Sequence, residues 1–197
     1  MIAAKENFPT LTPEEYFAWE EQQLEKHELI NGRVYGVGQC YARQDNRVNH
    51  SQIAVRLTTI LDHHLDPSCY IIGNSDLHVN VVGTQDYVHP DASVTCNERD
   101  HSTTQYIRYP CLIVEVLSPS TEAYDRGEKF RHYRQNPALI DYLLVSSTGV
   151  AIDLYHKNNA GDWLIFNYQP GDAIALKSIN LSVPIEQIYR GLNLTES

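Results

Sequence analysis

The sequence predicts an α/β domain in which helices flank a central mixed β-sheet. Residues 111–117 are apolar at every position except Glu115, as expected for a strand that is buried on both faces. A helical pattern at 120–135 and an apolar run at 139–145 follow, which is the order of a βαβ crossover between parallel strands. Hairpin signals elsewhere indicate antiparallel strands at the edges of the sheet.

The first element is a helix with a clear start signal. Thr12 is a candidate N-cap, Pro13 stands at the first helical position, and Glu15 can complete a capping box. Aromatic and apolar residues follow as far as Leu24. We therefore expect a helix that begins at Pro13.

A β-hairpin is expected next. Asn31 and Gly32 form the strongest short hairpin signal, because both residues tolerate the positive φ of a tight turn. The turn should pair residues 28–30 with residues 33–37. Glu28 then lies in the first strand.

The remaining elements follow from apolar periodicity. Residues 48–65 carry apolar side chains at the i, i+3, i+4, i+7 spacing of an amphipathic helix. Short runs rich in β-branched and aromatic residues, separated by Gly, Asn, Pro and charged residues, predict strands. The predicted strands are 69–74, 77–82, 91–95, 111–118, 140–146, 150–157 and 163–169, and further helices are predicted over 120–135 and 183–192.

Length and composition favour one globular domain over residues 1–197. The net charge of −10 opposes a general attraction to polyanions, so a nucleic-acid site would have to be locally basic or assisted by a metal. The N-terminus has no signal-peptide core, and no apolar stretch is long enough to span a membrane, so we expect a cytoplasmic protein without a membrane partner. The four cysteines form no CxxC pair and are expected to be reduced thiols: Cys40, Cys69, Cys96 and Cys111.

Glu115 is the most informative residue of the sequence. Burying an ionised carboxylate without a partner costs several kcal/mol at least, so Glu115 needs a cation, a metal ion or a bound proton. Upstream, Pro90 favours an extended His89 and a strand that begins at Asp91. Because an Asp at a strand entrance can lie beside a Glu in a neighbouring strand, Asp91 and Glu115 are candidate Mg²⁺ ligands, with Glu28 as a third acidic residue.

Lys129 is the candidate cation of this group. In a helix over 120–135 it stands about 40° from Tyr133, at the rim of the apolar stripe, from which its ammonium can reach the carboxylates. Two alternatives remain open. Lys129 could form an exposed pair with Asp125, or Glu115 could form a buried ion pair with Lys129 or an arginine and bind no metal.

Four segments resemble, in order and approximate spacing, the Uma-two-type restriction-endonuclease family: "HELINGRV", "VHPDASV", "IVEVLSPST" and "DRGEKFRHY". The match covers about residues 10–190, and the family is similar to the PD-(D/E)XK, restriction-endonuclease-like nucleases. The resemblance implies a restriction-endonuclease-like core in which Asp91, Glu115 and the Val116 carbonyl bind Mg²⁺ or Mn²⁺ and Glu28 is the amino-terminal acidic residue.

The resemblance also implies the activity, a metal-dependent endonuclease that hydrolyses phosphodiester bonds of DNA, and by analogy a homodimer. The sequence departs from the parent motif at Leu117, where the superfamily usually has lysine, so Lys129 would take the role of the catalytic lysine. The alternative is a catalytically inactive protein of the same fold that acts as a self-associating binding module. The sequence does not choose between DNA and RNA.

Further residues have weaker functional interpretations. His50 could orient a metal ligand, and Tyr133 could do so as well, although a role in the core is favoured for Tyr133. For most of the histidines a structural role is favoured, because no HExxH pattern occurs. Three arginines give the third helix a basic side that is either a DNA contact or a solvated face: Arg126, Arg131 and Arg134.

Overall fold

The computed structural model describes residues 8–36, 47–67, 69–73, 77–81, 83–102, 105–192 and 194. Its α-helices are α1 (Pro13–Glu20), α2 (Arg47–His64), α3 (Glu122–Tyr124), α4 (Phe130–Tyr133) and α5 (Ile185–Tyr189). A π-helical turn at Asp125–Lys129 joins α3 to α4, so 122–133 form one continuous helix. None of the helices in the described ranges is long and apolar enough to cross a membrane.

The strands are distributed over two larger sheets and a short hairpin. They are β1 (His27–Ile30), β2 (Arg33–Gly36), β3 (Tyr70–Gly73), β4 (His78–Asn80), β5 (Tyr87–Val88), β6 (Ala92–Thr95), β7 (Tyr106–Ile107), β8 (Leu112–Leu117), β9 (Asp141–Ser146), β10 (Ile152–Lys157), β11 (Trp163–Tyr168), β12 (Ala173–Leu176) and β13 (Leu181–Pro184). One sheet has the order β11-β10-β9-β8-β6-β3, a second has the order β2-β1-β5-β4-β7, and β12 pairs with β13.

The six-stranded sheet confirms the predicted mixed architecture. β8 and β9 are parallel and are connected through the helix at 122–133, as the crossover pattern predicted. The other strand pairs of this sheet are antiparallel. The separate five-stranded sheet was not predicted, because β5 and β7 have only two residues each and carry no period-2 pattern.

Local signals at the N-terminus are confirmed. The Thr12 side chain accepts a hydrogen bond from the Glu15 N–H, and the Glu15 carboxylate accepts one from the Thr12 N–H. Asn31 and Gly32 adopt φ of 51° and 73°, and the hairpin pairs His27–Ile30 with Arg33–Gly36. The predicted last residue of the second strand, Val37, lies outside the described residues.

One prediction near the other end of the chain needs correction. The run predicted as a strand at 163–169 is a strand over Trp163–Tyr168, but the helix predicted over 183–192 does not begin at residue 183. Val183 and Pro184 complete β13, which pairs with β12, and the helix begins at Ile185. Proline is compatible with the end of an edge strand, so the pattern admitted both outcomes.

Two apolar clusters lie on opposite faces of β8. Leu112, Val114 and Val116 pack with α2 and α5 on one face. Ile113 and Leu117 pack with the five-stranded sheet on the other face. Because side chains alternate along a strand, Glu115 points to the same side as Ile113 and Leu117, between the sheets and the helix at 122–133.

The prediction of four reduced cysteines is wrong for two of them. Cys69 and Cys96 form a disulfide, because β3 pairs with β6 in a register that places Tyr70 opposite Thr95 and the two cysteines just beyond that pair. Cys111 is a free thiol, and burial raises its pKa to about 11. Cys40 lies outside the described residues.

Candidate active site

Strand register brings Asp91 to Glu115. β6 pairs with β8 so that Ala92 is opposite Val114, which places Asp91, one residue earlier, opposite Glu115. The Val116 N–H donates a 2.7 Å hydrogen bond to Asp91 Oδ2, which fixes that carboxylate at the strand entrance. The two predicted acidic residues are therefore neighbours, as the strand pattern suggested.

Glu28 reaches the same place from the other sheet. It lies in β1, and its Oε1 accepts a 2.9 Å hydrogen bond from the His89 N–H. Its side chain is almost completely buried. The five-stranded sheet thus contributes a third carboxylate beside the entrance to β6.

Lys129 lies among these carboxylates. Its Nζ is 2.9 Å from Glu115 Oε1 and 3.6 Å from Glu28 Oε1, and it donates a 3.0 Å hydrogen bond to the His89 carbonyl. Only 6% of Lys129 is exposed. It is the last residue of the π-helical turn, a feature that is common at functional sites.

Asp125 is a site residue that sequence reasoning placed only in an exposed pair. The structure overturns that alternative, because Asp125 and Lys129 are both buried, with Oδ1 and Nζ 3.9 Å apart. The sequence signal that could have placed Asp125 at the site is its i, i+4 spacing from Lys129, which puts both side chains on the same side of the helix. The buried Glu115–Lys129 ion pair of the other alternative is observed, but Lys129 also forms ion pairs with Glu28 and Asp125.

Tyr133 combines a core position with a site contact. Its ring is 1% exposed and lies in the apolar cluster beneath the five-stranded sheet. Its hydroxyl donates a 3.2 Å hydrogen bond to Glu115 Oε1. Tyr133 therefore orients the Glu115 carboxylate, and its ring is held by packing.

His50 approaches Asp91 from α2. Its Nε2 is 3.4 Å from Asp91 Oδ2, and the ring also bonds to the Val116 backbone. Burial alone would lower the pKa of His50, but the Asp91 carboxylate and the charge of Asp125 outweigh burial and raise that pKa. The Val116 backbone is thus at the site, beside both Asp91 and His50.

The charges of the site do not balance. When all groups are ionised, four carboxylates face the Lys129 ammonium and the His50 imidazolium, which leaves two negative charges. Burial raises the pKa of Glu115 well above its usual range, and it raises the pKa of Asp125 to about 6. Burial would lower the pKa of Lys129, but its carboxylate neighbours raise it, so the lysine stays charged.

The three arginines predicted to form a basic side, at positions 126, 131 and 134, differ in their contacts and exposure. Arg126 donates a 2.8 Å hydrogen bond to Glu122 and contacts Asp153 of β10, so its guanidinium ties the helix to the sheet. Arg131 is exposed and lies 3.5 Å from Glu128, and Arg134 is also exposed. The structure therefore leaves Arg131 and Arg134 as the accessible basic side chains of this group.

Comparison with known proteins identifies the family. A family model named Uma2, described as "Putative restriction endonuclease", matches residues 13–186. The chain belongs to the Uma2 family. The matched range includes the whole carboxylate and lysine cluster.

Relatives of this Uma2 chain occur in Synechocystis sp. (strain ATCC 27184 / PCC 6803 / Kazusa). The uncharacterized protein slr1290 is 60% identical over 185 residues, which are 94% of each chain. The uncharacterized protein sll1609 is 31% identical over 157 residues, which are 79% of this chain and 85% of the relative.

The fold of this Uma2 chain is similar to that of a solved structure, the crystal structure of a "putative nuclease belonging to DUF820" from Anabaena variabilis. The TM-score is 0.67 at 16% sequence identity, and the match covers 91% of this chain and 97% of the other. At 16% identity, this likeness shows the shared fold. Leu117, which stands at the lysine position of the parent motif, is buried in the apolar cluster.

Proposed function

We propose that this Uma2 protein is a metal-dependent endonuclease that hydrolyses phosphodiester bonds of DNA. The observation that carries the proposal is a cluster of four carboxylates that faces only two cations, Lys129 and His50, and has a net charge of −2 when all six groups are ionised. Three of the carboxylates are buried beside Lys129, and the fourth, Asp91, is partly buried beside His50. A divalent cation neutralises that charge. Buried charges are as a rule paired or coordinate metals, so an excess of carboxylates over cations favours a metal site.

The donor set fits Mg²⁺ or Mn²⁺. Asp91, Glu115 and the Val116 carbonyl would hold the ion, and hard divalent ions prefer such oxygen ligands. When bound, the ion supplies a more acidic water and neutralises charge that develops on the phosphate. Restriction-endonuclease-like families usually use divalent metals, which agrees with this donor set.

The other residues of the site would stabilise charge on the phosphate or orient the metal ligands and the lysine. Lys129 keeps its ammonium charged inside a buried pocket, where it can stabilise negative charge on a phosphate group. Glu28 and the His89 carbonyl orient that ammonium, and Tyr133 orients Glu115. His50, whose Nε2 is 3.4 Å from Asp91 Oδ2, would orient the Asp91 carboxylate.

The test is cleavage of supercoiled plasmid DNA with Mg²⁺ or Mn²⁺. The double variant Asp91→Asn/Glu115→Gln should cut at least about a hundredfold more slowly, because it loses the charged ligands of the ion. EDTA should abolish wild-type cleavage. Single-stranded DNA and RNA as parallel substrates would define the nucleic acid.

The matched control is Glu21→Gln/Glu128→Gln, which removes the same charge from exposed positions and should cut like the wild type. Circular dichroism would establish that both double variants are folded. Cleavage at equal rates by the wild type and Asp91→Asn/Glu115→Gln would contradict the proposal.

The second candidate function is a self-associating binding module, favoured by one observation. β11 is an edge strand of the six-stranded sheet, and it exposes Leu164, Ile165 and Phe166. Residues 163–168 carry no charge in a chain of net charge −10, so two copies can approach here without strong repulsion. Antiparallel pairing of β11 with β11 of a second copy would satisfy both edges and bury the apolar side chains.

We expect Ile165→Lys to shift the protein from dimer to monomer, because two lysines would face each other across the joined strands. Light scattering after size exclusion measures the mass. Leu24→Lys is the control, since Leu24 is a fully exposed apolar residue outside the sheets. An unchanged dimer in Ile165→Lys would exclude this interface. A dimer that forms through β11 but cuts no nucleic acid would favour the binding module over the nuclease.

A further inference from the structure

A second cluster of possible metal ligands lies outside the carboxylate site. Glu20 ends α1, His78 begins β4, and His89 follows β5. One ligand atom from each residue lies within 4.8 Å of the others. Both histidines are buried, with 4% and 8% exposure.

Hydrogen bonds determine the proton position on His78. The Tyr16 hydroxyl has one proton, and it donates that proton to the His27 carbonyl. It must therefore accept the 2.8 Å hydrogen bond from His78 Nε2–H. His78 Nδ1 then carries a lone pair, and this buried atom has no hydrogen-bond partner among the described residues.

The tautomer of His78 with its proton on Nε2 leaves the Nδ1 lone pair available to a metal ion. A neutral imidazole whose other nitrogen donates to a protein oxygen is the usual arrangement of a metal ligand. Tyr16 supplies that oxygen here.

The Glu20 carboxylate is held in place in the same way. Its Oε1 accepts a 2.8 Å hydrogen bond from the His27 N–H, and its Oε2 lies 2.9 Å from His27 Nδ1. The rings of His78 and His89 are 3.9 Å apart between centroids. The three ligand side chains thus come from α1, from β4 and from the residue after β5, and they lie beside each other.

We propose that Glu20, His78 and His89 form a second metal site that binds Zn²⁺. Two imidazoles and a carboxylate suit Zn²⁺, whereas Mg²⁺ prefers oxygen ligands alone. The site would join α1 to the five-stranded sheet. It would also hold the His89 backbone, whose N–H bonds to Glu28 and whose carbonyl bonds to Lys129, so the ion would stabilise the frame of the carboxylate site.

The test is titration of the metal-free full chain with Co²⁺, a coloured substitute for Zn²⁺, followed by displacement with Zn²⁺. We expect one equivalent of Co²⁺ with an absorption band typical of nitrogen ligands, in the wild type and in Asp91→Asn/Glu115→Gln. Glu20→Gln should lose the band, and Glu21→Gln, its exposed neighbour, should keep it. Tyr16→Phe should bind about 10- to 100-fold more weakly, because His78 loses the partner that sets its proton position.

Two results would overturn the proposal. Absence of the band in the wild type would mean that the cluster binds no metal ion. A band that survives Glu20→Gln but disappears in Asp91→Asn/Glu115→Gln would place the ion at the carboxylate site. Should Glu20→Gln fail to fold, Tyr16→Phe decides the question, since it leaves all three ligands in the chain and a wild-type affinity would contradict the site.

Discussion

Lys129→Met is expected to lower the free energy of unfolding by about 3 to 5 kcal/mol at neutral pH in the absence of divalent metal. The variant keeps an unbranched side chain of similar length but removes the buried cation that contacts Glu115, Glu28 and Asp125. The carboxylates then repel each other or must bind protons, and either change costs free energy. Urea denaturation in the presence of EDTA measures the difference.

The control for this prediction is Arg131→Met on the same helix. Arg131 is exposed, and its ion pair among the described residues is with the exposed Glu128, so its replacement should change the unfolding free energy by less than about 0.5 kcal/mol. Mg²⁺ should recover part of the loss in Lys129→Met, because an ion that binds the folded state stabilises it. A Lys129→Met protein as stable as the wild type would mean that these carboxyl groups are already protonated.

Asp125→Asn is expected to stabilise the metal-free protein at neutral pH by up to about 3 kcal/mol, since a pKa displacement of one corresponds to about 1.4 kcal/mol. Burial raises the pKa of Asp125 from 3.8 to about 6, and the charges of Asp91 and Glu28 add to this against the opposing Lys129. Because the pKa of Asp125 is higher in the folded state, its protonation stabilises the fold. This contribution is complete below pH 3.8, the ordinary pKa of Asp, and is lost as the pH rises through about 6, the pKa in the folded protein. Asparagine has no such dependence.

The measurement is the unfolding free energy of both proteins in EDTA across that pH range. The difference between Asp125→Asn and the wild type should grow in favour of the variant as the pH rises. Glu128→Gln, which removes an exposed carboxylate from the same helical turn, should follow the wild type. A difference that stays constant with pH would contradict the raised pKa of Asp125.

Much of the fold could be predicted because its signals are local. The capping box at Thr12 and Glu15 and the Asn31-Gly32 turn involve residues a few positions apart, and each specified its element. The apolar run at Leu112–Leu117 specified a strand with two covered faces. The five-stranded sheet could not be predicted, since its two-residue strands form only when distant segments pair.

The disulfide and the histidine cluster show the same limit. Cys69 and Cys96 are 27 residues apart, and only the register of β3 against β6 brings them together. His78 and His89 match no metal-binding spacing in the sequence. Their rings approach each other because β4 and β5 are antiparallel neighbours, and Glu20 joins them from α1.

The sequence by itself determined that Glu115 lies in a buried strand and requires a partner, and it named Asp91, Glu28 and Lys129 as candidates. Only the tertiary structure decided that Lys129 contacts Glu115 and Glu28 together, that Asp125 is buried with them, and that His50 holds Asp91. Periodicity and turn residues report the conformation of neighbouring residues. The distances between side chains of different elements depend instead on strand register and on how the helix at 122–133 packs between the two sheets.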